Sequence, residues 1–464
     1  MVIICFVALL STGEASQWPS LRGAQEGRAS LTYPGGEEIN EWHYSYKSAR
    51  RYETGLAVWA SPALAVVGGR PMAFIGGYDQ TMHALDLVDK RAVWRKITNG
   101  EIAAAPAVGI VDGLDVVFWG SADRTVYANV ALNGRQLWTR ELVGPSSTLG
   151  KVHMSSPFID GDRLYIACFV YDKALPRNEQ NASLYCLDTY DGRIIWKLAI
   201  TTGFVSSPVG FEIDGKLHIA IAARRGLLQC FDVSGAIPSR AWQFQMPHEV
   251  MGSPVVSTDR ERPLLFLGSK FGDLIAIDAR SGEEVWRRMA GNWIDNSACI
   301  GDLDGNEVVY VGSHDYNVYA LDAASGELIW KRALGGEVYS APCVFRLLDR
   351  PVVAAAALDN HVYVMDAGNG EIITSFFSGN AIWDKVAKGE TLWGSPAAIE
   401  AGGETALVHG SFNDFVYVLP LAKECSLTAM SRSASSLWIS LIVVFVVFTG
   451  VVLPIVLRGP ARRD

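Results

Sequence analysis

The sequence predicts an all-β fold, an eight-bladed β-propeller of four-stranded antiparallel blades, followed by one C-terminal transmembrane helix. Three observations lead to this prediction. A strand-and-turn unit recurs along the chain, eight small-residue doublets open its copies at intervals of 44 to 54 residues, and residues 437–457 form an apolar run without a charge. A repeat of that length with short alternating strands is typical of propeller blades, each of which buries its faces against its neighbours.

The clearest copy of the unit is Glu307–Trp330, EVVYVGSHDYNVYALDAASGELIW. Apolar and polar residues alternate in 308–312 and again in 317–321, and turn-forming residues separate the two runs. Alternation of period two between tight turns predicts half-buried antiparallel strands. A second turn at Ser325-Gly326 then leads to a short strand that ends on a tryptophan.

Most copies end on a tryptophan: Trp94, Trp138, Trp196, Trp242, Trp286 and Trp330. In four copies a glycine stands four residues earlier: Gly134, Gly192, Gly282 and Gly326. We therefore expect these tryptophans to pack blade against blade, and not to form a cofactor site.

The copies open with the doublets Ser61-Pro62, Ala105-Pro106, Ser156-Pro157, Ser207-Pro208, Ser253-Pro254, Ser297-Ala298, Ala341-Pro342 and Ser395-Pro396. The last copy stops near Pro420 without its closing glycine and tryptophan. We expect a strand near residues 40–48 to complete this blade, because pairing the two ends of the chain removes the last free sheet edges.

The repeated Ala-Leu-Asp, Ser-Gly-Glu and terminal Trp, together with Trp18-Pro19 and Arg22-Gly23, resemble the eight-bladed pyrroloquinoline quinone (PQQ)-like propellers. The resemblance covers roughly residues 17–421. It implies the propeller fold, but this family contains alcohol and sugar dehydrogenases as well as a cofactor-free scaffold of outer-membrane assembly. Fold alone does not choose between them. The sequence is closest in type to the scaffold members.

The resemblance makes PQQ and Ca²⁺ the cofactors to test, since the dehydrogenases of the family use both, with a disulfide between adjacent cysteines. This chain has neither adjacent cysteines nor a Cys-x-x-Cys-His haem motif. We therefore predict no catalytic, cofactor-binding or metal-binding residues. A quinone-dependent oxidoreductase with an atypical site remains the alternative.

Residues 1–16 are interpreted as a signal peptide, because an apolar run is followed by small and polar residues. A different start codon or an uncleaved anchor would also fit, since no basic residue precedes the run. After the propeller, residues 422–436 are a polar linker.

The apolar run at 437–457 is long enough to cross a bilayer as a helix. Arg458, Arg462 and Arg463 follow it in the tail, residues 458–464, which the positive-inside rule places in the cytoplasm. The propeller then lies outside the cytoplasm, in the periplasm, the lumen or the extracellular space. A tail this short cannot form an output domain, which weakens a signalling role.

The composition fits this organisation, with 49% hydrophobic residues and 45 glycines in 464 residues. The formal net charge of −9 gives no electrostatic support to a role in binding nucleic acid. A protein partner and the membrane are the partners that we expect.

Seven cysteines in an exported chain could form disulfides. However, Cys186 and Cys230 occupy a repeat position that is alanine in other copies, and Cys299 and Cys343 both follow an opening doublet. Small buried residues are the simpler interpretation. A Cys168–Cys186 cross-strand bond is the alternative.

The acidic segment Asp302–Glu307 places oxygen ligands at alternate positions, as Ca²⁺ prefers. Asp112-Gly113, Asp160-Gly161 and Asp214-Gly215 occupy the equivalent place, so a hairpin turn explains all four, with bound calcium as the alternative. Of eight histidines, His83, His314 and His361 lie near turn–strand junctions. The ring could bring them to one rim, although surface or core positions are the simpler expectation.

Two irregular segments are candidate binding loops, because insertions on repeat scaffolds often form the binding face. Tyr171–Ser183 contains Asn181-Ala182-Ser183, a glycosylation acceptor in a eukaryotic host or merely a polar loop. Phe376–Trp393 contains Trp383, Trp393, Lys385 and Lys388, which suit an interface, although its aromatic residues could instead fill the core where Thr374 replaces a tryptophan. The sequence thus predicts a membrane-anchored, non-catalytic binding scaffold.

Overall fold

The computed structural model describes residues 50–421, with gaps at 54–57, 59, 90, 145–148, 173–180, 201–205, 260, 348–349, 360, 378–394, 396, 402–403 and 411–414. These residues form antiparallel sheets that follow one another along the chain, and we number the sheets in that order. The all-β propeller prediction is confirmed. Seven sheets have four strands and one has five, so the prediction of uniformly four-stranded blades is wrong for sheet 3.

Sheets 1 to 4 lie between Ala63 and Gln245. Sheet 1 comprises β2 (Ala63–Val67), β3 (Arg70–Gly76), β4 (Thr81–Asp86) and β5 (Arg91–Ile97). Sheet 2 comprises β6 (Ala107–Val111), β7 (Leu114–Gly120), β8 (Thr125–Val130) and β9 (Gln136–Glu141). Sheet 3 comprises β10 (Leu149–Met154), β11 (Phe158–Asp160), β12 (Arg163–Asp172), β13 (Asn181–Asp188) and β14 (Ile194–Ile200). Sheet 4 comprises β15 (Val209–Ile213), β16 (Lys216–Ala222), β17 (Leu227–Asp232) and β18 (Ser239–Gln245).

The remaining strands complete the ring. Sheet 5 comprises β19 (Val255–Val256), β20 (Leu264–Gly268), β21 (Asp273–Asp278) and β22 (Glu284–Met289). Sheet 6 comprises β23 (Cys299–Leu303), β24 (Asn306–Gly312), β25 (Asn317–Asp322) and β26 (Leu328–Ala333). Sheet 7 comprises β27 (Cys343–Leu347), β28 (Arg350–Ala356), β29 (His361–Asp366) and β30 (Ile372–Phe377). Sheet 8 comprises β31 (Ala397–Ala401), β32 (Glu404–Gly410), β33 (Phe415–Leu421) and β1 (Arg50–Glu53).

The two ends of the described chain meet in sheet 8, where β1 pairs antiparallel with β33. Arg50 lies opposite Val418, and Glu53 lies opposite Phe415. The strand that completes the sheet is therefore Arg50–Glu53. The predicted closing segment, residues 40–48, lies outside the described residues, as do the predicted signal peptide, linker, transmembrane span and tail. Within the described ranges, no helix has the length and apolarity to cross a bilayer.

The opening doublets link neighbouring sheets by hydrogen bonds. The backbone N–H of one doublet donates to the serine hydroxyl of the next, as from Ser156 to Ser207 at 3.0 Å and from Ser253 to Ser297 at 2.9 Å. The same bond joins Ser395 to Ser61 at 3.2 Å, across the two ends of the chain. Serine recurs at this repeat position because its small hydroxyl group accepts this hydrogen bond.

Five of the six closing tryptophans pack against the glycine of the next sheet, not against the glycine that precedes them in their own copy; Trp196 is the exception. A Cβ atom on Gly326 would lie 2.5 Å from the Trp286 ring, so only glycine fits there. The Trp286 indole N–H donates to the Ala323 carbonyl of sheet 6 at 2.9 Å. Trp94 makes the same bond to Ala131 at 2.7 Å. The prediction of blade-to-blade packing is confirmed for these tryptophans.

Sheet 3 departs from this pattern at its junction with sheet 4. The indole nitrogen of Trp196 is buried and has no hydrogen-bond partner among the described residues. Between strands β17 and β18, sheet 4 has the segment Val233–Pro238 in place of the usual turn and glycine. This segment offers no carbonyl to the tryptophan.

Candidate functional site

One face of the ring carries the connections between sheets and the connections between the second and third strands of each sheet. We call it the connecting face, and the opposite face, with the remaining turns, the hairpin face. Two hydrogen bonds identify equivalent positions on the connecting face. The Ala122 N–H donates to the Glu101 carbonyl and the His314 N–H donates to the Trp293 carbonyl, each at 2.9 Å. Ala122 and His314 are therefore equivalent, as are Glu101 and Trp293.

The first candidate site is a groove of about 240 Å³ between sheets 1, 2 and 3. We call it the small-residue groove. Its walls are Gln80, Gly100, Glu101, Ala103, Gly120, Ala122, Val152, His153 and Met154. Four of these nine residues are glycine or alanine. Gly100 and Gly120 are packed closely by Asp123 and Met154, whereas Ala103 is exposed and Glu101 supplies the carboxylate. The groove can accept an extended chain or one long side chain of a partner.

Strand β10 forms one wall of this groove and makes sheet 3 different from the others. In place of one inner strand, β10 and β11 lie end to end along β12, with Met154 opposite Cys168 and Phe158 opposite Tyr165. Ser155 stabilises the break, because its hydroxyl accepts a hydrogen bond from the Ala167 N–H at 2.9 Å. Among the described strands only β12 pairs with β10, which lies at the edge of its sheet.

The second candidate site lies between sheets 5, 6 and 7, and we call it the His314 cluster: Lys270, Trp293, Asp295, Asn296, His314, Glu337 and Tyr339. The Lys270 ammonium lies 3.6 Å from an Asp295 carboxylate oxygen and 4.6 Å from the Trp293 ring centre. The His314 ring stacks on Tyr339, with ring centres 3.8 Å apart. Its Nε2 lies 3.8 Å from the Asp295 carboxylate and its Nδ1 lies 3.9 Å from the Glu337 carboxylate, too far for hydrogen bonds.

Burial sets the charge state of this cluster. Burial, reinforced by the Lys270 charge, lowers the pKa of His314 to about 4, so its imidazole is neutral at pH 7. Burial also raises the pKa of Asp295, and Lys270 opposes that rise. The centre of the cluster is the Lys270–Asp295 ion pair, and the histidine beside it is uncharged at pH 7.

Three polar atoms of the cluster are buried without a hydrogen-bond partner among the described residues: Asp295 Oδ1, Asn296 Oδ1 and His314 Nε2. Their residues are only 6%, 7% and 3% exposed. The Asn296 amide nitrogen donates to the Gly312 and Val338 carbonyls at 3.3 Å, which fixes the side chain and leaves its oxygen without a partner. Buried polar groups of this kind call for an explanation, because most are paired in native proteins.

The three histidines singled out in the sequence are all buried, but they do not come together. His83 contacts the Asp79 carboxylate at 2.9 Å, and His361 approaches the Asp359 carboxylate at 3.4 Å. His314 belongs to the larger polar cluster described above. In the described part of the chain, no three histidine, cysteine or acidic side chains are placed to hold a metal ion.

The acidic segment Asp302–Glu307 forms a hairpin between β23 and β24. Asp304 and Gly305 both have positive φ, 54° and 87°, as a two-residue turn of this kind requires. Asp112-Gly113 and Asp214-Gly215 adopt the same conformation. In sheet 3 the turn is shifted by one residue, because Asp160 pairs with Arg163 and leaves Gly161-Asp162 as the turn.

The described cysteines are buried and free: Cys168, Cys186, Cys230, Cys299 and Cys343. The alternative of a Cys168–Cys186 bond is wrong, since Cys168 lies opposite Ser183 and Cys186 lies opposite Tyr165. Burial raises the pKa of the Cys186 thiol to about 11. Thiols with pKa values raised in this way are poor nucleophiles at neutral pH.

The two irregular segments are described only at their ends. Asn181-Ala182-Ser183 belongs to strand β13 and not to a loop, and Ser183 is buried. Phe376 is buried at the end of β30, whereas Trp383, Lys385, Lys388 and Trp393 lie outside the described residues.

Sequence reasoning missed four residues of the His314 cluster: Lys270, Trp293, Asp295 and Asn296. The signal was present in the alignment of the repeats, since Asp295 and Asn296 stand where sheet 2 has Ala103 and Ala104. The seven other copies have no charged residue at the position of Asp295, so its carboxylate departs from the repeat.

The sequence profile of outer membrane protein assembly factor BamB matches residues 42–168, 122–292 and 270–422. BamB from Moraxella catarrhalis is 16% identical, with a TM-score of 0.54 over 80% of this chain and 98% of that one. Quinohemoprotein alcohol dehydrogenase ADHIIG from Pseudomonas putida HK5 is 12% identical, with a TM-score of 0.61 over 81% and 76%. Sqt1 from Saccharomyces cerevisiae is 9% identical, with a TM-score of 0.62 over 81% and 98%. At these identities the structures share the fold alone. No curated protein matches the sequence.

Proposed function

This chain belongs to the family of outer membrane protein assembly factor BamB, and we propose that it is a non-catalytic scaffold that binds a partner protein. The family name points to a role in assembling other proteins. The observation that carries the proposal is the edge strand β10 beside the small-residue groove. An extended segment of a partner can add to such an edge, with main-chain hydrogen bonds providing affinity and an adjoining groove providing specificity.

The proposed partner presents an extended segment with a basic residue. Glu101 is the acidic side chain of the groove wall, and the exposed Ala103 beside it presents only a methyl group to a peptide. A lysine or arginine of the partner would pair with Glu101 there. Because such a rim charge acts mainly on association rate and register, the groove itself would supply most of the specificity.

We further propose that residues 437–457 hold the scaffold at a membrane, with the propeller on the extracytoplasmic side and residues 458–464 in the cytoplasm. The support is the uncharged run of 21 residues and the arginines that follow it. Residues 1–16 would direct export. Proteolysis of sealed membrane vesicles, with antibodies against each end of the chain, tests this orientation.

A photo-crosslinking residue at Gln80 of the full-length chain tests the docking site. We expect one discrete adduct, and Ala103→Trp in the same chain should abolish it by filling the groove. A matched control, Leu132→Trp, places the same side chain on the hairpin face at an exposed position and should leave the adduct unchanged. An adduct that survives Ala103→Trp would contradict the proposal.

The alternative function is a quinone-dependent oxidoreductase, since ADHIIG shares the fold. The described cysteines are isolated within strands, and the described acidic residues and histidines form no set of metal ligands. The described part of the chain therefore does not fit the PQQ and Ca²⁺ site of the dehydrogenases, and we derive no reaction step. Titration of the full-length chain with PQQ and Ca²⁺, followed by a dye-linked assay with alcohols and sugars, distinguishes the two functions.

A further inference from the structure

We propose that the His314 cluster is a binding site for a small, neutral, polyhydroxylated ligand of the sugar or polyol class. The site is separate from the small-residue groove, and the proposal does not depend on the scaffold function. It rests on the unpartnered buried atoms of the cluster, on its charge balance and on the position of Trp293. Each of these limits the chemistry of the ligand.

The unpartnered atoms require a ligand that donates hydrogen bonds. Asp295 Oδ1 and Asn296 Oδ1 are acceptors, and they lie on consecutive residues of the connection into sheet 6. The Lys270 ammonium has three N–H groups and lies near one carboxylate oxygen of Asp295. A ligand must therefore donate at least twice and also accept. Hydroxyl groups do both.

The ion pair at the centre of the cluster favours a neutral ligand. The Lys270–Asp295 pair compensates itself, and His314 is uncharged at neutral pH. A cationic ligand would meet Lys270, and an anionic ligand would meet Asp295 and Glu337. Either would add a charge beside the Lys270–Asp295 pair in a largely buried place, which is unfavourable.

Trp293 provides the apolar surface that such a ligand needs. It is 42% exposed at the rim of the cluster, and the Lys270 ammonium lies above its ring. A sugar or polyol carries C–H groups that can pack on the indole while its hydroxyl groups reach the polar atoms below. The Lys270 side chain, which is 20% exposed, would have to move for a ligand to reach those atoms.

The repeats support a specific role for these residues. The equivalent positions in sheet 2 are Ala103, Ala104 and Ala122, and sheet 2 keeps the same strands and the same backbone bond. The ring therefore folds without polar side chains at these positions. The other copies have no charged residue where sheet 6 has Asp295, so the architecture does not require this carboxylate.

Isothermal titration of the full-length chain with D-glucose, D-galactose, myo-inositol and glycerol tests the proposal. We expect saturable binding of at least one probe. Trp293→Ala and Asp295→Asn should each weaken it at least tenfold. Asp295→Asn keeps the side-chain shape, and thermal unfolding verifies that both variants are folded.

Tyr190→Ala is the matched control, because it removes an exposed aromatic residue from the hairpin face. It should leave binding unchanged. No saturable binding of any probe would overturn the proposal, and the buried atoms would then be satisfied by ordered water. Binding that persists in both Trp293→Ala and Asp295→Asn would also overturn it. Neither result bears on the crosslink at Gln80, so failure here is distinguishable from failure of the scaffold function.

Discussion

The small-residue groove and the His314 cluster occupy equivalent positions of the ring and have opposite character. Both lie on the connecting face, and in both a backbone N–H bonds to the carbonyl of the preceding connection. Sheet 2 has Glu101, Ala103 and Ala122 where sheet 6 has Trp293, Asp295 and His314. The difference teaches that the repeat fixes the backbone, while a few side chains decide whether a position is open or filled.

Removing the central charge of the cluster should have the largest effect on this comparison. Asp295→Ala leaves Lys270 without its carboxylate partner, and we expect a loss of about 3 kcal/mol in the free energy of unfolding. Denaturant unfolding of the full-length chain measures it. Glu101→Ala in the groove is the control, with an expected change within about 0.5 kcal/mol. Equal losses in the two variants would show that the regions do not differ in this respect.

Protonation of His314 should have the next largest effect. Its pKa in the folded chain, about 4, lies below the ordinary value of 6.5. Between these values the unfolded state binds the proton and the folded state does not, so stability falls as pH decreases from 6.5 to 4. After a discount for solvent screening, we expect about 2 kcal/mol.

The pH effect is measured by comparing the native chain with His314→Leu at pH 7 and pH 4.5. The difference in unfolding free energy between the two proteins should shift by that amount in favour of the variant at the lower pH. Both proteins contain the groups that surround the histidine, so the difference between them gives the contribution of His314. These groups are Lys270, Asp295, Asp315, Glu337 and Tyr339. Asp295 acts in the opposite direction, since its raised pKa favours the folded state at low pH. If the unfolding free energies of the native chain and of His314→Leu changed equally with pH, this role for His314 would be excluded.

The framework shared by the two regions predicts equal effects of a third change. Trp94→Phe in sheet 1 and Trp286→Phe in sheet 5 each remove one indole hydrogen bond to the next sheet. Each should reduce the unfolding free energy by about 1 kcal/mol beyond the packing loss. Trp196→Phe should reduce the unfolding free energy by about 1 kcal/mol less than either of these changes, because the Trp196 indole nitrogen has no partner among the described residues. Unequal effects at Trp94 and Trp286 would mean that the framework differs between the regions.

The sequence predicted most of the fold because its cause is local and repeated. Alternating residues, turn glycines and serine doublets recur in nearly every copy, so each copy supports the others. The packing partner of each tryptophan was harder to predict, since Gly326 lies nearer in sequence to Trp330 than to Trp286. Strand β10 was missed because it depends on pairing with an extended β12 across a long connection. The His314 cluster was missed because it joins side chains from three sheets.

Placing a charge in the groove should have the smallest effect. Ala103→Asp introduces the side chain that sheet 6 has at the equivalent position, but Ala103 is exposed and lies beside an open groove. The carboxylate stays hydrated, so we expect a change in unfolding free energy within about 0.5 kcal/mol. Denaturant unfolding beside Asp295→Ala gives the measurement, and a loss above about 1.5 kcal/mol would show that the groove is closed to water. A small effect would mean that the same residue is structurally indifferent in one region and central in the other, because the surroundings and not the repeat position determine its energy.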